Sequence, residues 1–197
     1  PGRNWEQIRT TICYNEANVK ICGAHAGVSV GPDGATHQAI EDIAIMRPLA
    51  NMIVLAPCDS REAEKITYLV SKMSGPVYIR YAREKTPVFT TDATPCEIGK
   101  AHIFWTEPAR SKPDVAIIAC GPLVYNAILA AAELEKNGMK VRVINNVSIK
   151  PLDAETILKA AKDAKSIVTV EEHQVAGGMG SAVAEFLAKN YPVPMEF

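Results

Sequence analysis

The sequence predicts an α/β protein made of two three-layer units, each with a mostly parallel sheet. Three observations carry that reading. Short runs rich in Val, Ile and Leu alternate with helical patterns along nearly all of the 197 residues. The alternation lapses once, between about residues 84 and 113, and then resumes. Apolar residues make up 48% of the chain and charged residues 22%, which supplies a sizeable core and excludes global disorder.

Residues 19–22, 52–55 and 77–81 read as strands, because they are brief, mostly apolar and bounded by Gly, Pro or Asn. Between the last two, Ala63, Ile66, Leu69, Val70 and Met73 form a 3.6-period stripe that predicts a helix over 60–73. Asp59, with Glu62 three residues on, predicts a capping box at its start. A strand–helix–strand crossover of this kind implies parallel pairing. Residues 84–113 carry Thr-Pro pairs and no sustained period, which predicts a linker holding a short strand near 102–105. Then come a strand over 114–120, a helix opened by Gly121-Pro122 and closed at Gly138, and a strand over 141–144. A helix over 153–164, a strand over 167–170, a helix over 180–189 and the start of one more strand at 193–197 complete the order. The expected division is therefore 1–90, a linker at 91–112, and a second unit at 113–197.

Composition also excludes function classes. Lys and Arg number 21 against 22 Asp and Glu, a net charge of −1 with no basic stripe, so nucleic acid is not an expected partner. No apolar run approaches the roughly 20 residues of a membrane span, and the opening Pro1-Gly2-Arg3-Asn4-Trp5 is unlike a signal peptide. The chain does not begin with Met, so residue 1 is not expected to be a natural start. Cys13, Cys22, Cys58, Cys96 and Cys120 are odd in number and contain no C-x-x-C, which predicts neither a disulfide framework nor a metal site and points to the cytoplasm.

The densest polar cluster runs from His25 to Gln38, directly after the first strand and before a helix expected to begin near Gln38. Loops at the carboxyl ends of parallel strands are where ligands bind in such sheets. His25, Asp33 and His37, amid three glycines, suit polar recognition and proton transfer. A solvated turn built on Asp33-Gly34 explains the same residues, and composition leaves both readings open. Arg80 and Arg83 follow the third strand, where a guanidinium suits a phosphate, although the residues alone favour surface ion pairs. Glu171-Glu172-His173-Gln174 precedes Gly177-Gly178-Met179-Gly180-Ser181 at a helix start, a place where backbone N–H groups bind anions. This run is neither G-x-G-x-x-G nor a P-loop, and a tight turn packing helix on sheet is the default. His102 stands alone in the linker.

Taken in order, several stretches resemble the transketolase family, thiamine-diphosphate enzymes that move two-carbon ketol units between sugar phosphates. Gly2-Arg3-Asn4-Trp5-Glu6-Gln7-Ile8-Arg9 is similar to a helix of the family's pyrimidine-binding domain, and 18–23, 25–42, 51–59 and 75–83 continue the match. The second unit resembles the family's C-terminal domain through 119–121, Ile149-Lys150-Pro151-Leu152-Asp153 and 170–181. The resemblance spans essentially the whole chain and is strongest to the small-subunit, "C-terminal section" form of a split transketolase.

By position, the resemblance implies that His25 and Arg83 hold the substrate phosphate. Asp33 would accept a bond from a sugar hydroxyl and favour one stereochemistry. His37 would stand beside the cofactor's reactive centre and steady oxygen atoms there. The second-unit Gly loop and His173 match a family signature and are assigned to structure. The family's cofactor-activating Glu and the aromatics that stack on the cofactor ring are expected upstream of residue 1, and the diphosphate-binding domain with its Mg²⁺ ligands is expected in a partner domain or subunit. Glu16 and Glu41 are not in a context to replace that Glu. An N-terminal transketolase section is thus the expected partner, in a homodimer or heterotetramer, and the chain by itself is expected to be inactive. 1-Deoxyxylulose-5-phosphate synthase is the nearest rival, but that family tends to carry Asp-Arg-Ala-Gly in place of Ala24-His25-Ala26-Gly27 and a second His in place of Gln38. The β subunits of 2-oxoacid dehydrogenases lack the Asp-Gly-x-Thr-His run. A non-catalytic assembly subunit would have no need of the set His25, Asp33, His37 and Arg83.

Overall fold

A computed structural model describes residues 2–107 and 111–197. The opening helical segment turns at Gly2–Asn4, is α-helical over Trp5–Gln7 (α1) and widens into a π-type coil over Ile8–Cys13. Trp5 pins it inward by donating Nε1–H to Ile45 O at 2.6 Å. The remaining elements are β1 (Lys20–Gly23), a 3-10 coil at Val28–Asp33, α2 (Asp42–Met46), β2 (Ile53–Leu55), α3 (Ser60–Ser71), β3 (Val77–Arg80) and β4 (His102–Trp105). They continue with β5 (Val115–Ala119), α4 (Leu123–Lys136), β6 (Val141–Asn145), β7 (Ser148–Lys150), α5 (Ala154–Asp163), β8 (Ser166–Val170), α6 (Met179–Asn190) and β9 (Met195–Glu196).

Two sheets result, in the orders β1-β3-β2-β7 and β4-β6-β5-β8-β9. All pairs are parallel except β2 with β7 and β4 with β6. Every residue of β3, β5 and β6 is buried, as expected of strands covered on both faces. Helix α3 packs on one face of the first sheet through Ile66 and Val70. Helix α4 covers one face of the second through Val124, Ala127 and Ala131. The facing layers share one core, in which Ile43, Met46 and Tyr78 of the first unit join Ile118, Ile149, Ile157 and Val183 of the second. The architecture is the predicted one of two mostly parallel α/β sheets.

Three local expectations change. Strand β7 comes from the second unit's sequence but extends the first sheet, pairing Leu55 with Ser148 and Val54 with Lys150. Three residues are too few to show a period, and tertiary contacts supply the rest: Lys150 Nζ donates to Arg47 O and Leu49 O at 2.9 and 2.6 Å. Helix α2 begins at Asp42 and not near Gln38. The intervening backbone is used elsewhere, because Ala39 bridges Ala26 and its O accepts Gly27 N at 2.7 Å, while Ile40 O accepts Gln174 N. The capping box of α3 forms by half. Asp59 Oδ1 accepts Glu62 N at 2.9 Å, but the Glu62 carboxylate turns away to Cys58 N and to Asn145 Nδ2 of the second unit, both 2.7 Å. Burial there pushes the Glu62 carboxyl above its usual range, against those hydrogen bonds. Part of the expected linker, residues 108–110, lies outside the described residues.

Candidate functional site

Strands β1 and β3 are parallel neighbours in register, Gly23 opposite Arg80, so the chain leaves both at the same edge of the sheet. Backbone pairing continues past their ends. Tyr81 N donates to Gly23 O at 2.8 Å, and Ala26 N donates to Tyr81 O at 3.1 Å. That continuation places His25 and Arg83 on adjacent loops at the carboxyl edge. His25 takes a left-handed backbone, φ 60°, which a non-glycine residue adopts at a cost where the surroundings impose it. The imposing contacts here are the two bonds to Tyr81 on either side of it.

The loop then enters the Val28–Asp33 coil. Arg83 Nη1 donates to Val30 O at 2.6 Å and lies 3.2 Å from Asp33 Oδ1, so the structure brings Arg83 and Asp33 together as an ion pair. His37 is exposed, with Nδ1 2.9 Å from Thr36 Oγ1. Its Nε2 and both ring nitrogens of His25 make no hydrogen bond among the described residues, so each can meet a ligand. Arg83 and Asp33 thus pair at the Val28–Asp33 coil, while His25 and His37 stand exposed on the same 25–38 segment. A cavity of about 460 Å³ beside the ends of β2 and β3 is lined by Asp59, Tyr81 and Lys85 among others, and not by His25, Asp33, His37 or Arg83.

Arg80 behaves differently from the expected surface ion pair. It is buried, with Nε donating to both carboxylate oxygens of Asp42 at 3.1 and 3.0 Å and Nη2 donating to Glu172 O at 2.6 Å. Tyr78 OH completes the cluster on Asp42 Oδ2 at 2.7 Å, and burial together with that carboxylate pushes its phenol well above the usual range. With Nε and Nη2 committed to Asp42 and Glu172, Arg80 anchors the loop, and Arg83 is the more exposed guanidinium of the two.

The second unit supplies the loop's far support. The start of α6, expected by default to be a structural turn, is capped from within: Glu171 accepts Met179 N and Gly180 N, both at 2.7 Å. A Cβ at Gly178 would lie 2.5 Å from that carboxylate, so a larger residue there would have to displace it. His173 Nε2 accepts Ala44 N at 3.3 Å, a structural contact with α2. Glu172 accepts Ser29 N–H through Oε1 and lies against Gly27, where a Cβ would come within 2.3 Å of it. Gly27 also has φ +94°, so it meets both demands that favour glycine. Asp42 and Glu172 are the supporting residues that sequence reasoning did not assign. The run Glu171–Gln174 at the end of a strand was a visible signal, whereas nothing local marks Asp42.

Residues 2–88 match the model of the transketolase pyrimidine-binding domain, and residues 106–196 match that of the transketolase C-terminal domain. The chain belongs to the transketolase family. A Methanocaldococcus jannaschii protein named for the transketolase C-terminal section is 42% identical over 191 residues, covering 96% of this chain and 58% of that protein. A 1-deoxy-D-xylulose-5-phosphate synthase of Desulfitobacterium hafniense is 39% identical over 187 residues, covering 94% of this chain and 29% of that protein. A solved split-gene transketolase, described as an inactive beta4 tetramer, superposes with a TM-score of 0.89 at 40% identity, over 99% of this chain and 62% of that one. The chain therefore spans about three fifths of the length of the first relatives it matches. Its transketolase-family fold places the loop of His25, Asp33 and His37 within the pyrimidine-binding domain and its Glu172 support within the C-terminal domain.

Proposed function

We propose that this chain provides the substrate-binding side of a transketolase-type enzyme, which transfers a two-carbon ketol unit between sugar phosphates. The observation that carries the reading is the Arg83–Asp33 ion pair on the loop that also holds the exposed His25 and His37. Arg83 presents its fork to a phosphate, with His25 as a second donor on the adjacent loop. Asp33, an acceptor only, takes a hydrogen bond from a sugar hydroxyl of one configuration. His37 steadies oxygen atoms where the bond to the two-carbon unit breaks and forms.

Thiamine diphosphate, the cofactor of the family, supplies the carbanion chemistry when bound. The residues present fit the substrate end of such a site. In this reading Mg²⁺ and the diphosphate are held by a partner domain or subunit. The assembly would be a homodimer or heterotetramer containing an N-terminal transketolase section. Its five free cysteines suit a reducing cytoplasm, and no helix among the described residues is long and apolar enough to cross a membrane.

The test is reconstitution. The complete subunit that carries these residues, combined with an N-terminal section, thiamine diphosphate and Mg²⁺, should move a ketol unit from a ketose phosphate to an aldose phosphate, and the chain alone should neither do so nor bind the cofactor tightly by calorimetry. Micromolar cofactor binding by the isolated chain would sink the half-site reading. Formation of 1-deoxyxylulose 5-phosphate by the reconstituted enzyme would favour the second reading, which the similarity to such a synthase supports.

A further inference from the structure

We propose that Glu172, a residue of the second unit, is a positioning residue for the sugar-phosphate loop of the first. It would fix the Val28–Asp33 coil through Ser29 and so set where Arg83 and Asp33 stand. The inference rests on the substrate role proposed above for those two residues.

Three consecutive residues of the second unit grip this loop at both of its ends. The Glu172 carboxylate accepts Ser29 N–H, at the start of the coil. His173 Nε2 accepts Ala44 N at 3.3 Å, and Gln174 N donates to Ile40 O at 2.9 Å, beyond the coil. Glu172 O also receives Arg80 Nη2, which ties the grip to the end of β3. The stretch carrying Asp33 and His37 hangs between these supports.

A short relay leads from Glu172 to the ligand-facing groups. Ser29 is followed by Val30, 1% exposed, whose O accepts Arg83 Nη1 at 2.6 Å. The last residue of the same coil is Asp33, paired with Arg83 at 3.2 Å. Moving Ser29 therefore moves the acceptor that aims Arg83 and the carboxylate that Arg83 holds. Glu172 is 7% exposed, so it acts through the coil and not on a substrate.

The contact is poor value as simple cement. Glu172 Oε2 and Ser29 Oγ are both buried with no hydrogen-bond partner among the described residues. A buried carboxylate satisfied on one oxygen is costly to the fold. What it does provide is a fixed acceptor facing Ser29, pressed against Gly27, whose φ of +94° lets the chain pass that close.

In the complete enzyme, Glu172→Ala should raise KM for a phosphorylated sugar about tenfold or more, as a misplaced binding group does, while kcat stays within about twofold. Glu172→Gln keeps an acceptor oxygen and should recover most of that loss. Amide hydrogen exchange over residues 28–33 of the full-length chain should quicken in the Ala variant and not in the Gln variant, a readout that needs no turnover. If the Ala variant fails to fold, Glu172→Asp, with its shorter reach, takes its place with the same expectations. The proposal is overturned if exchange over 28–33 stays at the parent rate, if it quickens without a rise in KM, or if Gln is as damaging as Ala. Failure of the substrate role shows separately: Arg83→Ala would then not distinguish phosphorylated from unphosphorylated sugars, while the exchange result still decides whether Glu172 holds the loop.

Discussion

Arg83→Ala separates a surface role from a binding role, because the two act on different quantities. The Arg83 side chain is 36% exposed and that of Asp33 40%, so water and salt screen the pair. Losing such a pair costs the fold about 0.2–1 kcal/mol. In a chain of this size that lowers Tm by no more than about 4 °C. A phosphate held by a guanidinium through charge-assisted hydrogen bonds is worth about 1.5–3 kcal/mol. At about 1.4 kcal/mol per factor of ten, its loss lowers kcat/KM for a phosphorylated sugar roughly 10- to 150-fold. The binding effect thus exceeds the stability effect, and the two are measured independently.

The assay is steady-state kinetics of the complete enzyme with the phosphorylated and unphosphorylated forms of one ketose, alongside thermal melts. The phosphorylated form should lose by the factor above, and the unphosphorylated form by less than about threefold, within the cost of an exposed pair. Arg83→Lys should fall between, because it keeps the charge and loses the planar fork. Equal losses for both forms would show that Arg83 serves only to hold Asp33 and Val30 O.

Asp33→Ala should reduce discrimination between two epimeric sugar phosphates toward unity, because an epimer already leaves the carboxylate without its donor; an unchanged ratio of kcat/KM values refutes the hydroxyl role. Arg80→Ala strands Asp42, whose side chain is 2% exposed, and should cost about 3–5 kcal/mol, read as a Tm drop on the order of 10 °C. A drop of a degree or two would mean that water replaces the guanidinium. Acid should weaken the fold through Asp59 and Asp153: burial pushes both carboxyls up, but hydrogen bonds from Glu62, Phe89 and Thr90 to Asp59, and from Ala101 and Thr156 to Asp153, hold them below the usual range. A depressed carboxyl contributes stability above its unfolded value, about 4, and loses it as pH falls through the lower folded value. The Tm gap between parent and Asp59→Asn should therefore narrow from about pH 6 to about pH 3, and a constant gap would count against the linkage.

What the sequence discloses depends on whether the deciding force is local. Strands β3, β5 and β6 are legible because burial on both faces demands unbroken apolar runs, and α3 is legible because its core-facing side repeats every 3.6 residues. The loop of His25 to His37 is legible as a place, since it follows a strand in a parallel sheet. Strand β7 is hidden because its three residues are held by β2 and by the carbonyls that Lys150 reaches, more than a hundred residues back in the chain. The start of α2 is misplaced for a related reason: residues 39 and 40 satisfy their backbone groups on Gly27 and Gln174, partners that no local pattern announces. Arg80 and Arg83 look alike in the sequence, three residues apart. Only the packing shows that one is buried on Asp42 and the other faces out.

The second sheet explains why the two units act as one body. Its chain runs from β5 to β6 on one side and returns to β8 on the other, so the loops after β5 and β8 part at the point where parallel α/β sheets ordinarily open a ligand crevice. Here the first unit fills that crevice. Gly121 N donates to Ala56 O at 3.1 Å, Glu172 O receives Arg80, and Glu62 takes the Asn145 amide at the end of β6. The place in the second unit best suited to a ligand is spent on docking, and the docking loop is the one that carries Glu172. The residues proposed above to meet substrate lie at the carboxyl edge of the first sheet, and Glu172 of the second unit contacts their loop at Ser29. Separating the units would strip Arg80 of its Glu172 acceptor, Glu62 of its amide donor, Ser29 N–H of the Glu172 carboxylate and the apolar core of about half its lining.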